Sequence, residues 1–263
     1  LLNVRWLSGF TGSSGACVIT AGEEILFTDG RYRIQAAEEC PGWELRISNE
    51  PLAVQIGGFL AGRGPVRAGF ESDVMTCEQL EQLTKAAPEA VLDGRKGFVS
   101  EMRAVKDAEE VERIRRAATV TDEAFRRILQ HIRPGVTERD VALELTYALG
   151  KAGAERESFP GIVASGPRSA LPHAQPTDRL LCEEEPVLLD FGAAVDGYAA
   201  DITRTLFIGK PAPQLAEIYD IVLKAQEAAL AAIRPGASGV DVDGVARRII
   251  TEAGYGDCFG HGL

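Results

Sequence analysis

The sequence predicts two domains: an α/β domain over residues 1–95, a linker at 96–106, and a second domain over 107–263. Three observations carry this reading. Residues 1–95 alternate short β-rich runs with helical segments, the pattern of an α/β sheet. A glycine- and charge-rich stretch then leads into a long helical stripe that starts at residue 107. Further on, an apolar run ending in Asp190 is followed by a turn and a second strand, which reads as a hairpin. At 263 residues the chain is long enough to bury two cores.

The elements follow in order. Residues 16–20 and 25–28 read as strands joined by Ala21 and Gly22. Asp29 and Gly30 turn the chain into a helix carrying Tyr32, Ile34, Ala36 and Ala37. Residues 43–47, 66–70 and 91–92 are further strands with helices between them, and Thr76 with Gln79 forms a helix cap. The long helix at 107–132 repeats Val111, Ile114, Ala118, Thr121, Phe125 and Ile128 at helical spacing. Arg133-Pro134-Gly135 ends it, and Thr137 to Asp140 caps a second helix reaching residue 151. Asp196-Gly197 turns strand 186–190 into strand 198–207. Helices at 213–233 and 240–253 flank Ile233-Arg234-Pro235-Gly236, which echoes Ile132-Arg133-Pro134-Gly135 and hints at an internal duplication.

Composition narrows the function. A net charge of −11 argues against a nucleic-acid surface. Hydrophobic content of 45% and charged content of 25% are ordinary for a globular protein, and no apolar run reaches the length of a membrane span. Five scattered cysteines read as reduced cytoplasmic thiols rather than a disulfide framework. Arg113, Arg115 and Arg116 share a helix with Glu109, Glu110 and Glu112, which reads as an ion-paired, solvated face. The glycine- and serine-rich segment 12–15 lacks the lysine of a phosphate loop.

The chemistry concentrates at 190–205, DFGAAVDGYAADITRT. Asp190 and Asp201, with ten residues between them, are brought side by side if the hairpin forms. Adjacent carboxylates repel and normally share a proton or a cation, and hard oxygen donors suit a divalent metal. Taken alone, the two acids also fit a structural role in a turn-rich segment. His173, in a loop after Pro172, and His261, between two glycines, are open to solvated or ligand roles.

Four motifs carry a resemblance: FTGSSGA at 10–16 with LFTDGRY at 26–32, SGPRSALPHAQPTD at 165–178, DFGAAVDGYAADITRT at 190–205, and GHGL at 260–263. The chain resembles the X-Pro peptidases, aminopeptidase P and prolidase, within the pita-bread metallopeptidases. The resemblance implies a creatinase/prolidase-type α/β N-terminal domain and an α+β pita-bread catalytic domain that is C-terminally incomplete. It implies two divalent metal ions, Mn²⁺ or Co²⁺ with Zn²⁺ as an alternative, held by Asp190, Asp201 and His261. It gives His173 a catalytic role on the substrate or tetrahedral intermediate. Thr203, on the strand face of Asp201, is the candidate hydroxyl supporting the ligands. Two glutamate ligands and a second histidine that the resemblance places after His261 are absent, so the chain reads as an internal piece of a longer enzyme, itself inactive. The implied substrate is a proline-containing peptide and the implied assembly a cytoplasmic homodimer. The alternatives are a metal-free creatinase-like hydrolase and a non-catalytic binding module of the same fold. Retention of both acids argues against the first, and the three metal-type residues together argue against the second.

Overall fold

The computed structural model describes residues 1–262, which divide into two compact units, 1–107 and 108–262. The first unit runs α1 (Leu2–Ser8), β1 (Gly15–Ile19), β2 (Glu24–Thr28), α2 (Arg33–Glu39), β3 (Glu44–Ile47), α3 (Leu52–Ala61), β4 (Arg67–Glu71), α4 (Cys77–Ala86), β5 (Val91–Arg95) and α5 (Phe98–Ala104). The stretch 96–106 is therefore not a bare linker: it carries α5 and belongs to this unit. The strands form two sheets. β1 and β3 flank β2, antiparallel and parallel respectively, and β4 pairs parallel with β5.

Alternation along β2 explains how its sheet is covered on both faces. Ile25 and Phe27 pack against Ala53, Phe59 and Leu60 of α3, whereas Leu26 packs the other way against Phe10, Ala36 and Cys40. Thr76 caps α4 as expected, its hydroxyl accepting from the Gln79 N–H while the Gln79 side chain accepts from the Thr76 N–H.

The second unit is built from α6 (Ala108–Ile128), α7 (Glu138–Ala152), β6 (Arg156–Glu157), β7 (Ile162–Ser165), β8 (Pro186–Phe191), β9 (Ala193–Val195), β10 (Tyr198–Ala199), β11 (Ile202–Phe207), α8 (Pro213–Ala232) and α9 (Gly239–Glu252). Its strands make two antiparallel sheets, β11-β8-β7 and β10-β9-β6. Ala117, Ala124 and Ile128 of α6 and Val141, Leu145 and Leu149 of α7 bury themselves against Val163, Val187, Leu189, Phe191 and Ala193. The buried stripe of α6 is narrower than its spacing implied, since Val111 is exposed. α8 and α9 pack through Ala225, Ala229, Ala246 and Ile250.

The expected second strand, 198–207, is interrupted. β10 ends at Ala199, and Ala200 and Asp201 separate it from β11. This break lets the hairpin pass from one sheet into the other. Among the described residues no helix is long and apolar enough to cross a membrane.

Candidate metal and active site

The site is set by period-two alternation in β8. Val187, Leu189 and Phe191 point into the helix-covered core, so Leu188 and Asp190 occupy the opposite face. The charge at Asp190 thus avoids the apolar core that its flanking residues build. Thr203 is the cross-strand partner of Asp190, and its hydroxyl donates to Asp190 Oδ1 at 3.0 Å. Asp201 lies two residues before Thr203, so alternation places it toward the same side, close enough for the charge of Asp190 to act on its carboxyl.

Partial burial, and then the negative charge of Asp190, hold the Asp201 carboxyl above the usual carboxylate range. Among the described residues no lysine, arginine or histidine pairs with either acid. Two repelling carboxylates without a protein cation are a donor set that a divalent metal fits.

Several contacts hold the hairpin that delivers Asp201. Asp196 and Gly197 take left-handed φ values of 50° and 82°, as a two-residue primed turn requires. The Arg116 guanidinium reaches Asp196 at 2.6 Å instead of an acid on its own helix, and Tyr198 Oη donates to Glu110 at 2.8 Å. Thr121 Oγ1 accepts from the buried Ala193 N–H at 2.9 Å.

Gly192 sits where the strands cross. A β-carbon there would lie 1.8 Å from the Ala200 carbonyl oxygen and 2.5 Å from Ser158 Oγ. Ser158 Oγ donates to that same carbonyl at 2.7 Å. The absence of a side chain at Gly192 is what leaves room for this crossing. The role of Ser158 carries no signal in the sequence, where it is a lone serine between Glu157 and Phe159.

The histidines are placed differently. His173 is exposed, on a loop whose neighbouring residue, Ala174, is buried against Ile162, Ala164 and Leu188. Ile162 is the β7 partner of Asp190, so the loop is anchored on the sheet face that carries the acids. His261 is not brought to them. Its Nδ1 contacts the Gly262 carbonyl at 2.7 Å, and Arg247 holds the carbonyls of Phe259 and His261 against α9. Among the described residues no three His, Cys, Asp or Glu side chains gather as a metal cluster, so Asp190 and Asp201 stand as a pair.

Residues 112–263 match the model of metallopeptidase family M24, and residues 2–105 match the creatinase/prolidase N-terminal domain. The chain belongs to metallopeptidase family M24. It is 40% identical over 259 residues to an uncharacterized peptidase of Bacillus subtilis, covering 98% of this chain and 73% of that one. It is 41% identical over 274 residues to an Xaa-Pro dipeptidase of Pyrococcus furiosus, covering 100% and 74%. Among solved structures, an Xaa-Pro dipeptidase from Bacillus anthracis superposes with a TM-score of 0.93 at 37% identity, covering 99% of this chain and 73% of that one. An X-Pro aminopeptidase from Thermotoga maritima gives 0.90 at 36% identity, covering 97% and 72%. The M24 chain therefore has the expected creatinase-type and pita-bread domains, and it is a metal-dependent peptidase.

Proposed function

We propose that the M24 enzyme represented by this chain cleaves the peptide bond between an N-terminal residue and a following proline, as an X-Pro dipeptidase or aminopeptidase. The observation that carries the reading is the Asp190–Asp201 pair, left without a protein cation on one sheet face, in a chain whose relatives include Xaa-Pro dipeptidases. The seat is read as holding two divalent ions, Mn²⁺ or Co²⁺ with Zn²⁺ as the alternative. Such an ion supplies Lewis acidity and lowers the pKa of water.

The residues of the chain do the rest. Asp190 and Asp201 fix the positive charge, and Thr203 orients the Asp190 carboxylate through its hydrogen bond. His173 donates to the oxygen on which charge develops when the scissile carbonyl is attacked. His261 is assigned as a third donor, which requires segment 259–262 to leave its contacts with Arg247. Proline in the substrate accounts for a dedicated enzyme, because its tertiary amide lacks the N–H that ordinary peptidase sites grip. The reading extends to a homodimer, on the resemblance alone, and to the cytoplasm, supported by five free thiols.

The test compares an X-Pro dipeptide and an X-Pro tripeptide with counterparts carrying alanine for proline, with and without chelator. Chelator-sensitive turnover confined to the proline peptides is expected. Equal turnover of the alanine peptides would overturn the assignment.

A further inference from the structure

Glu138 was foreseen only as part of a helix cap, and the cap is made by its neighbours. Thr137 and Asp140 close the capping box at the start of α7. Glu138 instead turns inward and is fully buried, at 0% relative exposure. A buried carboxylate is costly unless its oxygens are satisfied. Both are. Oε1 accepts from the N–H and the hydroxyl of Ser165, each at 2.8 Å. Oε2 accepts from the N–H of Thr177 at 3.1 Å and its hydroxyl at 2.7 Å, and from Arg168 Nε at 3.2 Å. Burial alone would raise the Glu138 pKa, but the Thr177 and Ser165 hydrogen bonds outweigh it and leave the group ionised more readily than a free glutamate.

The partners are not scattered. Ser165 ends β7 and Thr177 lies at the far end of the loop that carries His173. One carboxylate therefore holds both feet of that loop. Arg168 crosses it, bonding Glu138 through Nε and the Gln175 carbonyl through Nη2 at 2.7 Å. Arg179 completes the base, donating to Ser165 Oγ at 2.7 Å and pairing with Glu185.

We infer that Glu138 is a positioning residue for the reaction: it clamps the ends of loop 166–176 and so fixes His173 over the sheet face that carries Asp190 and Asp201. The inference rests on the role given to His173 in the proposed function. It predicts that loosening the clamp misplaces His173 without disturbing the metal seat. A misplacement of ~1 Å at a reacting group costs up to about a hundredfold in rate.

The experiment uses Glu138→Gln, which keeps the shape but removes the charge, and the milder Arg168→Met, which leaves four of the five hydrogen bonds to Glu138 intact. Each is made in the natural and the His173→Ala background. Turnover of an X-Pro dipeptide, bound metal, and amide hydrogen exchange across 166–176 are measured. The expected result is a tenfold to hundredfold lower kcat for Glu138→Gln and a smaller drop for Arg168→Met. Bound metal should stay unchanged, exchange should quicken in the loop but not in β8, and neither variant should lower kcat further once His173 is alanine. Unchanged loop exchange, metal loss in step with kcat, or full multiplicative losses in the His173→Ala background would overturn the inference. Natural kcat in His173→Ala alone would refute the role of His173, and the exchange data then decide separately whether Glu138 holds the loop.

Discussion

Replacing Gly192 with alanine tests the strand crossing that sets the two carboxylates side by side. The new methyl would start 1.8 Å from the Ala200 carbonyl oxygen, and 2.6 Å from its carbon. Real β-carbons essentially never come closer than 3.0 Å, so the Ala200 peptide must retreat by about 1.2 Å. That retreat breaks the Ala200 N–H bond to the Ala193 carbonyl, 2.9 Å, and the Ser158 Oγ bond, 2.7 Å. Two hydrogen bonds at about 1 kcal/mol each, with about 1–3 kcal/mol of overpacking, give a destabilisation of roughly 3–5 kcal/mol. Against a typical total of about 5–15 kcal/mol this is a large share. Asp201 follows Ala200 directly, so metal affinity should fall by at least about tenfold as the carboxylates separate. Urea unfolding and metal titration measure the two effects. Ser158→Ala is the control: it removes one donor and leaves the backbone in place, for a loss of about 1 kcal/mol. If Gly192→Ala unfolds within about 1 kcal/mol of the natural protein and binds metal equally well, the crossing is not the constraint described.

Two further outcomes follow from the same geometry. A carboxyl with a raised folded-state pKa adds stability below its unfolded pKa and loses it as pH rises through the folded value, so ionised Asp201 opposes folding at neutral pH. Metal-free Asp201→Asn should therefore be slightly more stable near pH 7, by about 0.5 kcal/mol after allowance for solvent screening, with the gain vanishing in acid; calorimetry across pH checks it. Thr121→Val removes the acceptor of the Ala193 N–H and should cost about 1–3 kcal/mol in chemical denaturation, whereas Thr121→Ser should cost under about 1 kcal/mol.

Local signals were legible wherever one short segment decides the conformation. Thr76 and Thr137 cap the helices they precede, and Asp196-Gly197 makes the turn its dipeptide demands. The Asp190–Asp201 approach was legible too, because a hairpin brings residues on its two arms together. What escaped depends on partners distant in sequence. β7 is a four-residue run, fully buried, that no alternation marks. Glu138 looks like any first-turn acid until Ser165 and Thr177 fold over it. Gly192 looks like a flexible joint, although its need for space is set by Ala200 and Ser158. The interruption at Ala200 and Asp201 is invisible in a continuous β-prone run, and the position of His261 follows from Arg247 on α9 rather than from its flanking glycines.

The central claim is that Asp190 and Asp201 together seat the metal that serves X-Pro cleavage. Turnover of an X-Pro dipeptide, measured with bound metal in Asp190→Asn and Asp201→Asn, tests it most directly. Each variant should keep the native circular dichroism spectrum, lose bound metal, and lose at least about a hundredfold in turnover. A variant that retains both natural metal content and natural turnover would contradict the account.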